Sequence, residues 1–135
     1  MLKTLGIATL AAVTLGTVSV SQAADTSRLH GKWSTWGCNV AWFDMGKDKI
    51  SYYSTHQKLP DNLVSTHDAS VSENDGKLHV AYKYRGSDYK YIYGIKGDNA
   101  LLLDQLLVDN NVEFDRTKSG SPYKDRETQR CSPSA

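Results

Sequence analysis

Apolar and polar residues alternate most cleanly between Lys77 and Ile95. Leu78, Val80, Tyr82 and Tyr84 take every second position, with Lys77, His79, Lys83 and Arg85 among the residues between them. After Gly86-Ser87 the alternation resumes as Tyr89, Tyr91, Tyr93 and Ile95, set against Lys90 and Lys96. A period of two marks a strand with one buried face. Gly-Ser between two such runs fits a two-residue hairpin turn with glycine first. That turn predicts Tyr84 opposite Tyr89, Tyr82 opposite Tyr91, Val80 opposite Tyr93 and Leu78 opposite Ile95. All eight side chains then share one face as cross-strand neighbours.

The same reading extends in both directions. Strands are expected over residues 31–36, 39–45, 50–56 and 63–71, separated by Gly37, Gly46-Lys47-Asp48-Lys49 and Pro60-Asp61-Asn62. Pairing across the second of these breaks places Phe43 opposite Tyr52 and Met45 opposite Ile50. Asn74-Asp75-Gly76 leads into the tyrosine hairpin. Residues 100–108 are apolar nearly throughout, and leucine favours helices. Turn residues on both sides, Gly97-Asp98-Asn99 and Asp109-Asn110-Asn111, make this segment a strand instead. It pairs Ile95 with Leu101 and Tyr93 with Leu103. A turn at Asn110-Asn111 then pairs Leu107 with Phe114 and Gln105 with Arg116, in an eighth strand over residues 112–117. Residues 118–135 read as a polar tail crossing the barrel, with a short strand near Thr128 to Arg130. Once the leader is set aside, no interval carries the 3.6-residue period of an amphipathic helix. The expected fold is all-β, an eight-stranded antiparallel up-and-down barrel. Closure removes the exposed edges that invite aggregation.

Residues 1–23 have the form of a secretory signal peptide: Lys3, an apolar stretch from Leu5 to Val20, and Ser21-Gln22-Ala23 as a small-x-small cleavage site. The apolar stretch is short for a membrane anchor, and no cysteine stands at the cleavage site to carry a lipid. Residues 24–135 are then a single domain, exported to the periplasm of a Gram-negative bacterium or secreted, and expected to be a monomer. The 15 acidic residues face 16 basic ones, one of which is Lys3 in the leader. A near-neutral domain has no basic excess for phosphate contacts, which excludes a general nucleic-acid binder. It also gives no reason for attraction to anionic membranes. Cys38 and Cys131 are the two cysteines, and in an exported chain an even count favours a disulfide.

Gly31-Lys32-Trp33 at the start of the first strand resembles the G-x-W signature of lipocalins and other calycins. The resemblance implies a small exported lipocalin-like barrel in which Trp33 closes one end. It also implies an arginine from a late strand packed across that ring, with Arg116 as the matching residue and Arg130 as the second candidate. The chain is shorter than a typical lipocalin and lacks the C-terminal helix pattern. It is more similar to the small bacterial lipocalin-like barrels, several of which resemble inhibitors of proteases or lysozymes. Ser119-Gly120-Ser121-Pro122-Tyr123-Lys124 resembles the Ser-Gly-rich loop of C-type lysozyme inhibitors. The two strands that follow the loop in that family have no counterpart here. The same residues also serve as a plain flexible turn.

Tyr52, Tyr82, Tyr84, Tyr89, Tyr91 and Tyr93 point to one side in this register. Tyrosine joins an apolar ring to a hydroxyl that seeks a partner. Such a set suits a cavity for a small hydrophobic or amphipathic ligand, and equally a filled barrel core. Ser54-Thr55-His56 and Ser65-Thr66-His67 repeat a tripeptide. A turn centred on Asp61-Asn62 puts His56 opposite His67 on the inward face, where they line a ligand site. Two imidazoles make a poor metal site, and no metal or cofactor is assigned. The motifs G-x-S-x-G, H-E-x-x-H, C-x-x-C and the P-loop do not occur. The expected function is therefore non-enzymatic binding. One form is inhibition of a secreted hydrolase such as a protease or lysozyme through loops such as Gln57 to Asn62 or Lys118 to Lys124. The other is carriage or sensing of a small ligand in the barrel interior.

Overall fold

The computed structural model describes residues 25–131; the leader expected over residues 1–23 lies outside the described residues. Nine strands follow in chain order: β1 (Gly31–Ser34), β2 (Ala41–Met45), β3 (Lys49–Ser54), β4 (Leu63–Asn74), β5 (Lys77–Tyr84), β6 (Ser87–Ile95), β7 (Ala100–Val108), β8 (Asn111–Asp115) and β9 (Thr128–Arg130). Strands β1 to β7 pair antiparallel in sequence order, and β9 joins β7 back to β1. The result is a closed eight-stranded antiparallel barrel. Its eighth place is shared, because β9 pairs with Ala100 and Leu101 while β8 pairs with Gln105 to Val108 further along the same edge of β7. Among the described residues no strand joins β8 to β1. A seam is left at that end, and the segment between β8 and β9 runs beside it.

Three two-residue turns set the registers. Arg85-Gly86, Asp75-Gly76 and Asp109-Asn110 each hold both residues at positive φ, between 52° and 83°. This is the turn type whose twist matches that of the flanking strands. The tyrosine hairpin therefore turns one residue earlier than Gly86-Ser87. Tyr84 pairs with Ser87, Tyr82 with Tyr89, Val80 with Tyr91 and Leu78 with Tyr93. The shift from the expected register is two residues, and a shift of two leaves every side chain on its own face. The last hairpin also turns one residue early. Leu106 meets Phe114 and Gln105 meets Asp115, not the expected pairs of Leu107 with Phe114 and Gln105 with Arg116. Phe43–Tyr52, Met45–Ile50, Ile95–Leu101 and Tyr93–Leu103 are paired as expected.

A β-bulge interrupts the alternation of β7. Tyr93 pairs with Leu103 and Ile92 with Gln105, so Asp104 is an extra residue on β7. One extra residue flips the inward phase. Leu101 and Leu103 pair with inward residues of β6 before the bulge, and Leu106 pairs with Tyr91 after it. An even alternation would instead have put Gln105 opposite Tyr91.

The core fills one end of the barrel. Leu29, Trp33, Met45, Ile50, Leu78, Val80 and Leu101 are almost completely buried, and burial of such side chains contributes about 1.5–3 kcal/mol each. A short 3-10 turn, Ser27–Leu29, stoppers this end. The Trp33 indole donates from Nε1 to the Leu29 carbonyl at 2.8 Å. The Arg130 guanidinium lies 4.4 Å above the Trp33 ring and donates to the carbonyls of Arg28, His30 and Asp98. The arginine across the tryptophan is thus Arg130 and not Arg116. Arg130 sits in β9, directly opposite Trp33, whereas Arg116 follows β8 on the far part of the β7 edge. Arg28 adds a two-pronged ion pair to Glu73 at 3.0 Å. Cys38 and Cys131 form a disulfide, with Cα atoms 5.8 Å apart across 93 residues of sequence.

Candidate functional site

Toward the opposite end the inward positions change from aliphatic to aromatic. Along β5, burial falls from Leu78 and Val80 through Tyr82 to exposed Tyr84. Along β6, Tyr93 is buried while Tyr91 and Tyr89 are half-buried. Their rings form a connected stack. Tyr82 stacks on Tyr89 at 5.8 Å and on Tyr91 at 6.0 Å, and Tyr91 stacks on Tyr93 at 6.4 Å. Tyr52 leans on Tyr82 and on Phe43. Such pairs contribute about 0.5–1.5 kcal/mol beyond their buried area. Burial pushes the hydroxyls of Tyr52, Tyr91 and Tyr93 above the ordinary tyrosine range, helped by the neighbouring tyrosines. These groups are neutral at physiological pH and act as hydrogen-bonding hydroxyls, not as charges.

His67 belongs to this cluster and His56 does not. His67 stacks on Tyr82 at 4.4 Å, meets Tyr84 edge-on, and shares a 3.0 Å hydrogen bond with Ser65. The expected His56–His67 pair is absent. Val64 is an extra residue in β4, since Tyr52 pairs with Ser65 and Tyr53 with Leu63, and this register brings His67 opposite Ile50. His56 falls in the exposed loop between β3 and β4. Among the described residues no group of three or more His, Cys, Asp or Glu could hold a metal ion.

A cleft of about 380 Å³ opens beside the aromatic stack. Phe43, Tyr52, Tyr91, Tyr93, Leu103 and Phe114 form its walls, and Trp36, Tyr123, Lys124 and Arg126 form its lip. Each lip residue is held by a local device. Gly37, at φ 129°, takes a backbone conformation that other residues rarely adopt, and its amide donates to Ser34 Oγ. This break swings Trp36 out of β1 to 53 % exposure. Tyr123, 58 % exposed, meets the Trp36 ring edge-on at 5.4 Å. Arg126 lies over the same ring at 4.5 Å and donates from Nε to the Thr35 carbonyl at 2.8 Å. The disulfide fixes Cys38, two residues past Trp36, to the end of β9.

The outer wall carries a charge network that anchors the same segment. Asp104, only 16 % exposed at its bulge, accepts from Lys77 Nζ and, at 3.1 Å, from Arg116 Nε. Arg116 reaches on to Asp125 at 3.3 Å. Gly94 leaves the space for this carboxylate, because a Cβ there would stand 3.3 Å from Asp104 Oδ2. Burial opposes ionisation of Asp104, but the bonds from Lys77 and Arg116 outweigh it and hold its carboxyl below the usual value. A larger hollow, about 540 Å³, lies along this wall. Its charged groups are largely paired with one another, so it offers a ligand less than the aromatic cleft does.

Of the residues singled out in the sequence, Tyr52, Tyr91 and Tyr93 line the cleft. Tyr82, Tyr84, Tyr89 and His67 back them in the stack. Trp33, Cys38 and Cys131 take the structural positions described above. Trp36, Phe43, Phe114 and Arg126 were not legible as site residues, whereas Tyr123 stood in the Ser119 to Lys124 loop singled out in the sequence. The one local signal was Trp36 standing beside Gly37-Cys38, where a strand must break. Compared with known families, curated proteins and solved structures, the chain matches none, so its functional reading rests on its own geometry.

Proposed function

We propose that this chain is an exported, non-catalytic binding protein with a lipocalin-like barrel, and that it seats a small amphipathic ligand in the aromatic cleft. The observation that carries the reading is the cleft itself. A volume of about 380 Å³ falls within the range of roughly 300–1,000 Å³ usual for small-molecule sites. Rings supply its walls, and hydroxyls and cations supply its polar groups. Neutral tyrosine hydroxyls and permanent cations suit holding a ligand better than moving protons near neutral pH. The lipocalin-like reading draws support from Gly31 and Trp33 beneath the Arg130 guanidinium. The disulfide fits a chain that passes into an oxidising compartment, the periplasm or the exterior, as a monomer without a membrane anchor.

A second reading has its own support. Trp36, Tyr123 and Arg126 are the three residue types that dominate protein interfaces, and they project together beside Ser119 to Lys124. A secreted hydrolase bound at this lip would make the protein an inhibitor. Native mass spectrometry of the protein isolated under mild conditions separates the two. A bound small molecule, lost on denaturation, is expected for the ligand carrier. A protein of bare mass that reduces the turnover of a protease or lysozyme through Trp36 and Tyr123 would replace the first reading with the second.

A further inference from the structure

The lip of the cleft is electrically one-sided. Lys124 and Arg126 are the charged residues lining it, and no carboxylate faces it. Of the two acids that flank Arg126 in sequence, Asp125 is turned to Arg116 at 3.3 Å and to Lys124 at 3.2 Å, and Glu127 accepts from Gln129 at 2.8 Å. Among the described residues Lys124 is thus ion-paired, and Arg126 is the lining cation without a carboxylate partner. Arg126 spends its Nε–H on the Thr35 carbonyl. Among the described residues neither of its terminal nitrogens meets an acceptor. The guanidinium is nevertheless fixed in place by the Trp36 ring beneath it, so it is pre-oriented at the mouth with donors to spare. Inside, the buried Tyr93 hydroxyl also has no hydrogen-bond partner among the described residues. Buried polar groups are ordinarily paired.

We infer that the cleft selects planar aromatic anions, with the ring system between the aromatic walls and the anionic group on the Arg126 guanidinium. The inference rests on the small-ligand reading proposed above and names its chemical class. An arginine fork matches a carboxylate or sulfonate in two parallel bonds. Flat rings match walls made from Phe43, Tyr52, Tyr91 and Phe114. A purely apolar ligand would gain nothing from the guanidinium donors, which would stay on solvent. An aromatic cation would meet the like charge of Arg126.

Two dyes of the same ring system test this. They are 8-anilinonaphthalene-1-sulfonate and its neutral parent N-phenyl-1-naphthylamine, both titrated by fluorescence. The sulfonate is expected to bind roughly tenfold or more tighter, the usual scale for a charge-assisted bond, and to weaken with salt. Arg126→Gln should bring the sulfonate down to the level of the neutral dye and leave the neutral dye unchanged. Arg126→Lys should keep much of the preference. Ser121→Trp, a change on the exposed segment that borders the cleft, should weaken both dyes. Equal binding of the two dyes by the unaltered protein, or parallel loss of both in Arg126→Gln, overturns the anion inference and leaves the small-ligand reading standing. No binding of either dye, or binding of both that Ser121→Trp does not move, overturns the inference and the small-ligand reading together.

Discussion

At the end of the barrel held by Trp33, Leu29, Met45, Ile50 and Leu101, the inward side chains are apolar and sealed from solvent. At the other end the same strands turn Tyr52, Tyr82, Tyr91 and His67 inward, and these stay half-buried around a cleft. Backbone pairing runs from one end to the other through β3, β5 and β6, so the two ends differ in their side chains and in the seam left between β8 and β1. Aliphatic groups of varied shape interdigitate to fill a barrel. Rigid flat rings stack on one another and leave a slot beside the stack. The arginines show the same division. Arg130 at the sealed end gives its donors to three carbonyls and its face to Trp33. Arg126 at the open end faces Trp36 in the same manner, but gives a single donor to the protein. One geometry completes a structure; the other leaves it ready for an occupant.

The division can be broken by experiment, and the largest effect belongs to the sealed end. Trp33→Ala empties the fullest position and orphans the Leu29 carbonyl. It should cost about 3–5 kcal/mol, read as a lower midpoint in urea. An intact midpoint would mean that Trp33 does not hold that end. Opening the Cys38–Cys131 disulfide should cost about 2–4 kcal/mol, because it frees a long loop in the unfolded chain. It should also weaken dye binding, since Trp36 and the β8–β9 segment share that anchor. Thermal melts with and without reductant read the first effect, and fluorescence reads the second. A Cys38→Ser variant as stable as the parent would show that the bridge contributes nothing.

Smaller effects sharpen the contrast. Arg130→Gln should cost about 2 kcal/mol, as charge-assisted bonds to three carbonyls are lost. Arg116→Gln, whose partners include exposed Asp125, should cost under about 1 kcal/mol. If the two cost the same, the assignment of Arg130 to the Trp33 cap fails. The open end should be the first to respond to alkali. Tyr52, Tyr91 and Tyr93 are raised above the value of about 10 that they take in an unfolded chain. An acid whose folded value is raised holds its proton more tightly when folded. Its stabilising contribution is therefore complete below about pH 10 and is lost as the pH rises through that region. Absorbance at alkaline pH should show some of the eight tyrosines ionising only as the barrel unfolds. If all eight ionise together in the folded protein, the open end is wetter than described.

The repeat of two in Lys77 to Ile95 was enough to place β5 and β6, and with the flanking turns it led to the whole barrel. The exact pairing was less legible. A reader of Gly86-Ser87 places glycine first in the turn, yet the chain accepts Arg85 at φ 52° so that Gly86 can come second. The left-handed cost at a non-glycine residue is outweighed by a twist that suits the strands. The bulges at Asp104 and Val64 were not legible either, since an extra residue has no composition of its own. The His56–His67 pair fails because β3 ends at Ser54, so that His56 falls in the loop and His67 meets Ile50. The site was least legible of all. Trp36 and Tyr123 are 87 positions apart in the chain, and what joins them is the closure of the barrel, which no local pattern reports.

The shared edge of β7 has a bearing on how the chain reaches this state. Strands β1 to β7 can pair one after another with their neighbours, each hairpin closing over a short span. The ring cannot close until Thr128 to Arg130 arrive to bridge β7 and β1. Until then the sheet has two bare borders, each able to recruit a strand from another molecule. For a chain threaded through a membrane from its front end, the last segment to emerge is also the one that ends this exposure. Under the export proposed above, the interval between the emergence of Val108 and that of Arg130 would be the period in which aggregation competes with folding.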